Sequence, residues 1–213
     1  MVAIVPRPTE LFVKLALIGA LLLTLLALML AAWRGLEDPT VREAVPQPIP
    51  FSHKHHVSDV GLDCRFCHAQ VERSSTAGLP STQICLNCHS QLFAAQKIFE
   101  PLRDSARSGR PIAWNRVHRL PDFVYFDHSI HIAKGVACIE CHGRVDQMPL
   151  TERVASLRMD WCVKCHRNPM PRLRDPGRVF EMTPIDTNDT ATVHLLQRLQ
   201  SQQRLTDCST CHR

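Results

Sequence analysis

The chain has 213 residues, 10 cysteines, 12 histidines, 15 prolines and a single Tyr, with a formal charge of +5. Its hydrophobic share of 45% is inflated by one dense run, Leu11–Leu30, and the remainder, rich in Pro and polar residues, cannot bury much of its own surface and needs something besides side-chain packing to hold it together. Every cysteine sits in a Cys-x-x-Cys pair followed by His, which excludes a disulfide scaffold, a thiol enzyme and a soluble enzyme built on its own apolar core.

Leu11 to Trp33 is interrupted only by Lys14 and Thr24, and 18 residues from Leu15 to Ala32 carry no charge. About 20 apolar residues span a bilayer, whereas a secretory signal has a shorter apolar region ending at a small-x-small site. Residues 11–33 are therefore expected to be a retained transmembrane anchor, with residues 1–10 as a short leading segment. Trp33 sits where an interfacial aromatic belongs. Residues 34–50 carry Pro39, Pro46, Pro48 and Pro50, and are expected to form an extended, stiff linker.

An internal repeat follows. Phe51-Ser-His53-Lys-His-His56 matches Phe126-Asp-His128-Ser-Ile-His131 as Phe-x-His-x-x-His. Gly61 and Gly135 come next, then Cys64 and Cys138 each open a first Cys-x-x-Cys-His motif, and Cys85 and Cys162 a second. The first copy has one extra residue before its first cysteine. The units run over about 51–100 and 126–170, with a connector, 101–125, between them. Short helices are expected to lead into the motifs, and another over Gln91–Glu100. Residues 188–213 are expected to hold an amphipathic helix, from Asn188 or Asp189 to Leu205, that delivers a fifth motif. Little in the chain reads as strand.

The five motifs are Cys64-Arg-Phe-Cys67-His68, Cys85-Leu-Asn-Cys88-His89, Cys138-Ile-Glu-Cys141-His142, Cys162-Val-Lys-Cys165-His166 and Cys208-Ser-Thr-Cys211-His212. Thiols at i and i+3 share a helical face. They can bond both vinyl groups of one haem, and the next His then ligates its iron. This is the signature of c-type haem attachment. The competing chemistry is zinc, because 17 residues separate Cys67 from Cys85 and 20 separate Cys141 from Cys162, spacings that suit four-cysteine sites. Five pairs cannot all be matched as two-pair sites, and a His after every pair is what haem requires. The body, 51–213, is thus expected to be mainly α and irregular, wrapped around five haems, with one N-terminal transmembrane helix. Because such haem is attached on the exported side, the N-terminus is expected to be cytoplasmic and the haem domain extracytoplasmic. The Lys and Arg counts flanking the anchor are nearly balanced and decide little.

Each iron has a sixth position. His53, His56, His128 and His131 are the candidate distal ligands from the repeated pairs, and His118 on the connector is the candidate fifth. His194, Met148 and Met159 are its rivals, and a thioether would raise that haem's potential. His55 has no counterpart in the second copy and reads as a surface residue, whereas Met170 and Met182 read as loop or packing residues. Spare histidines outnumber the irons, so the haems are expected to be six-coordinate and to carry electrons rather than turn over small molecules. A ferric haem contributes about −1, from +1 at the iron–porphyrin and −2 from two ionised propionates, so five would roughly cancel the +5 charge, which is therefore not a nucleic-acid patch.

The Phe-x-His-x-x-His and Cys-x-x-Cys-His arrangement resembles the class III multihaem cytochromes. The anchor, the five motifs, the run Val117–Ser129, the stretch Cys141–Met148 and the stretch Trp161–Pro169 together resemble the pentahaem membrane-anchored cytochrome subunits of alternative complex III. That resemblance implies that other subunits, iron–sulfur-bearing or polytopic, oxidise quinol, and that this chain passes electrons to a monohaem cytochrome or a small copper protein. Two other functions compete with it. One is a membrane-anchored multihaem quinol dehydrogenase acting directly on quinol, and the other is a reductase with an open haem.

Overall fold

The computed structural model describes residues 7–36, 40–184 and 205–212. The chain divides into two units, Met1–Pro39 and Thr40–Arg213. The first contains α1, Arg7–Leu36, a helix of 30 residues. Its stretch Pro8–Arg34 has a mean hydropathy of 2.7 and none of it is buried within the chain. At 1.5 Å per residue its 27 residues reach about 40 Å, more than the roughly 30 Å of a bilayer's hydrocarbon core. Exposed Leu, Ile, Val and Phe on every side of such a helix call for an apolar surrounding. Glu10 and Lys14 pair at 2.7 Å near its start.

The second unit is built of short helices and loops, and no strand forms among the described residues; isolated bridges stand in for sheet. The motifs lie on α2 (Cys64–Cys67), α3 (Thr82–His89), α6 (Cys138–His142), α7 (Met159–Arg167) and α8 (Cys208–Cys211). Between them lie α4 (Glu100–Ser108) and α5 (His128–Ala133). Caps place several of these starts. The Asp63 side chain accepts from the Arg65 N–H at α2, and the Asp127 side chain from the N–H groups of Ser129 and Ile130 at α5.

The two repeat copies differ where the sequence differs. In the second copy the His pair rides on α5. In the first, Lys54–Asp59 is a single π-helical turn, with Val60 N–H donating to the carbonyl of His55 five residues back at 3.0 Å. The wider turn absorbs the extra residue, so Gly61 and Gly135, at φ 81° and 84°, still turn the chain into Cys64 and Cys138 in the same way.

Helix does not form over Gln91–Glu100 as expected. Phe93 adopts φ 56°, Gln96 is extended, and a 3-10 turn, Lys97–Phe99, leads into α4. The helix starts at Glu100 because Pro101 is suited to a first turn, and it stops where Gly109 takes φ 68°. Residues 40–50 of the Pro-rich stretch lie along the second unit rather than free of it. Arg42 N–H donates to Arg153 O at 2.6 Å, Ala44 bridges Glu152, and Ile49 is buried. The helix expected from Asn188 or Asp189 to Leu205 falls almost wholly outside the described residues, and His194 lies outside them as well.

The apolar core of the second unit is small. Val71, Ile132 and Val179 cluster, with Ala77, Cys138 and Phe180 packed against them. Arg174 is buried and ties the loop after it by donating to the carbonyls of Glu181 and Thr183 at 2.9 and 2.7 Å. Arg65 stacks on Phe180 at 4.6 Å.

Candidate haem sites

Each Cys pair spans one helical turn, so both sulfurs face the same way and the following His leaves at the turn's end. None of the ten cysteines is joined to another in a disulfide. Burial pushes the Cys138 thiol up to about 11 and the Cys141 thiol up to about 12. A neutral sulfur, as in a thioether, suits these positions better than the thiolate that zinc requires. Among the described residues, no group of three or more His, Cys, Asp or Glu side chains converges on a point. Imidazoles come together in pairs instead.

Three pairs join a repeat His to a motif His across the chain. The ring centroids of His56 and His89 are 6.1 Å apart, those of His131 and His166 6.1 Å, and those of His128 and His142 6.4 Å. Two imidazoles ligating one iron from opposite faces, with metal–nitrogen lengths of about 2 Å, would have centroids roughly 6 Å apart. His53 has His68 as a neighbour: after burial, that residue is the next influence in lowering its pKa to about 4. In both copies the second His of the Phe-x-His-x-x-His faces its unit's second motif, and in the second copy the first His faces its unit's first motif. The Phe supports both rings, Phe51 at 4.9 Å from His53 and 4.4 Å from His56, and Phe126 at 4.7 Å from His128 and 4.6 Å from His131.

The ring nitrogens complete the fit to iron. Backbone carbonyls hold Nδ1 of His56 (Ser52 O, 2.8 Å), His68 (Gly78 O, 2.8 Å), His89 (Leu92 O, 3.1 Å) and His128 (Ser75 O, 2.8 Å). Others hold Nδ1 of His131 (Asp127 O, 2.7 Å), His166 (Leu205 O, 2.8 Å) and His212 (Phe123 O, 3.2 Å). A carbonyl only accepts, so each of these Nδ1 atoms carries the proton and Nε2 keeps a free lone pair. Nδ1 of His53 lies 2.9 Å from the Thr151 hydroxyl. Anchoring the far nitrogen fixes both the tautomer and the ring plane of a metal ligand.

His118 behaves differently. Its ring lies 4.3 Å from that of His142 and nearly perpendicular to it, too close for the two to share one iron from opposite faces. Burial pushes its pKa down to about 4, with a further push from Arg153. Its Nε2 is buried without a hydrogen-bond partner, as a nitrogen reserved for a metal would be. Burial likewise lowers His142 to about 3, helped by His118, His128, His68 and His53. The ring against His212 is Phe123, at 5.9 Å. His55 is exposed and lies 3.6 Å from Asp59. Met148 is buried beside the π turn, its carbonyl accepting from Lys54 N–H at 3.1 Å. Met159 is exposed at the start of α7, and Met182 is buried as a packing residue. The chain's spacing did not disclose Thr151, which supports His53 from 98 residues away.

Residues 124–213 match the family model of cytochrome c7 and related cytochromes c. The chain is 41% identical over 99 residues to the multiheme cytochrome c subunit of menaquinone reductase from Nitratidesulfovibrio vulgaris, covering 45% of each chain. It is 32% identical over 89 residues to the acrylate reductase cytochrome subunit of Shewanella woodyi, covering 42% of this chain and 58% of that one. The chain therefore spans about half the length of the curated relatives it matches. Residues 124–213 of the second unit are thus similar to the cytochrome c7 type of multihaem domain, a likeness that implies covalently bound c-type haem and electron transfer.

Proposed function

We propose that the chain is a membrane-anchored electron-transfer subunit carrying five c-type haems between a quinone-reactive module and a cytochrome or copper-protein partner. Cys64, Cys67, Cys85, Cys88, Cys138, Cys141, Cys162, Cys165, Cys208 and Cys211 would form the thioethers. His68, His89, His142, His166 and His212 would be the proximal ligands. His53, His56, His128 and His131 would be distal ligands, with His118 as the fifth. The observation that carries this reading is the set of cross-chain imidazole pairs at 6.1 to 6.4 Å, with Nδ1 held by the backbone and Nε2 left open. Haem bound this way supplies a one-electron iron couple. The protein's own part is to fix the ring planes and to shield the irons.

Six-coordinate irons favour electron carriage over small-molecule chemistry. The apolar helix α1 would anchor the chain, with its N-terminus cytoplasmic and the haems outside. The iron–sulfur and polytopic partners, as in alternative complex III, follow from the resemblance. Purification of the full chain in mild detergent tests the reading: an iron–sulfur partner and a polytopic partner should accompany it, and its ferric haems should all be low-spin. Direct reduction of the isolated chain by a quinol analogue would favour the quinol dehydrogenase reading, and high-spin ferric haem the reductase. The printed name of one relative, menaquinone reductase, supports a second reading in which electrons run towards quinone. In membranes, reduction of the haems by quinol supports the first direction, and haem reoxidation by added quinone the second.

A further inference from the structure

We propose that the five haems stand in one unbranched row in the motif order second, first, third, fourth, fifth, with the haems of the second and fifth motifs as its two ends. This rests on the five-haem reading above, and the contacts that support it can be followed along the row.

The first and second sites share a turn. His53 and His56 both rest on Phe51, and His56 faces His89 at 6.1 Å. The first and third sites are joined reciprocally. Thr151, nine residues beyond His142, meets Nδ1 of His53 at 2.9 Å. Ser75, seven residues beyond His68, offers its carbonyl to Nδ1 of His128 at 2.8 Å and to its backbone N–H at 3.2 Å. Each site's distal ligand is thus held by the segment that follows the other site's motif. The third and fourth sites again share a turn, since His128 and His131 rest on Phe126 and His131 faces His166 at 6.1 Å. The fourth and fifth are joined by Nδ1 of His166, which donates to Leu205 O at 2.8 Å, three residues before Cys208. Tyr125 N–H also donates to Cys211 O at 2.8 Å, one residue before Phe126, which the third and fourth sites share.

The row departs from chain order for a simple reason. The two repeat units abut through their first motifs, which turns their second motifs outward. The fifth motif then extends the second unit's outward end. Among the described residues, exposed Cys88, Leu92 and Phe93 lie at or just after the second motif, and exposed Cys208 and Phe123 lie at or against the fifth.

Iron positions in the haem-loaded full chain, located by anomalous X-ray scattering or electron cryomicroscopy, test the order. Nearest neighbours should be second–first, first–third, third–fourth and fourth–fifth. The contact of His118 with His142 names the sharpest alternative. A fifth-motif iron nearer the third than the fourth, or a second-motif iron nearer the third than the first, overturns the row. Intact mass and an alkaline pyridine spectrum count the haems separately. A count below five overturns the five-haem reading itself, whereas five haems in another order overturn only the row.

Discussion

Gly143 follows the motif His142 directly, and Gly143→Ala should be among the most damaging single-methyl additions in the second unit. Its backbone sits at φ 62° and ψ −157°, a region that side chains other than glycine's avoid. A Cβ there would lie 2.8 Å from Cγ2 and 3.1 Å from Cγ1 of Val154. The backbone strain costs about 1–3 kcal/mol, and the clash, if Val154 cannot withdraw, about 1–3 kcal/mol more. In a unit of this size 1 kcal/mol moves Tm by about 2–4 °C, so a loss of roughly 4–24 °C follows. Gly109 provides the comparison. It too has positive φ, 68°, but nothing lies within 4 Å of a Cβ built on it. Gly109→Ala should therefore cost only the left-handed penalty, about 1–2 kcal/mol. Thermal unfolding of the haem-loaded protein, followed at the Soret band, measures both. Adding Val154→Ala to Gly143→Ala should recover the clash but not the strain, about half the loss. A Gly143→Ala protein no less stable than Gly109→Ala would refute the reasoning.

His131→Met should leave the haem count unchanged and raise the potential of one haem, on the order of 0.1 V, because a thioether replaces the imidazole facing His166; a redox titration in which no component moves would refute that pairing. Thr151→Val removes the oxygen that holds Nδ1 of His53, so the ferric electron paramagnetic resonance signal of one low-spin haem should shift while the others stay in place. Asp146 is buried, and its hydrogen bond from Arg144 holds its carboxyl below the usual carboxylate range. With the folded pKa depressed, its stabilisation is present above about pH 4 and is lost as the pH falls through the folded value. Asp146→Asn should lower Tm at pH 7 by the loss of about 1 kcal/mol and flatten the decline between pH 5 and pH 3. An unchanged acid slope would show that the pair contributes nothing.

What could be read without the structure is what depends on neighbours along the chain. A Cys-x-x-Cys-His run needs only one helical turn to bring two sulfurs to the same face, so the candidate haem attachment points could be named from spacing. A bilayer-length apolar run declares its helix by composition, and α1 extends just past both expected ends. The Phe-x-His-x-x-His repeat is equally local, and its extra residue surfaced as a π turn. The failed helix over Gln91–Glu100 shows the limit of such local reading, for Phe93 at φ 56° and the extended Gln96 interrupt the stretch and helix begins only at Glu100. The partnership of His131 with His166, the support of His53 by Thr151, the hold of Ser75 on His128 and the packing of residues 40–50 on the second unit all join distant residues. Spacing along the chain determined where the sulfurs and candidate ligands lie. Only the tertiary structure decided which imidazole faces which, because a chain with so small an apolar core takes its path from cross-chain hydrogen bonds and ring contacts that no local pattern encodes.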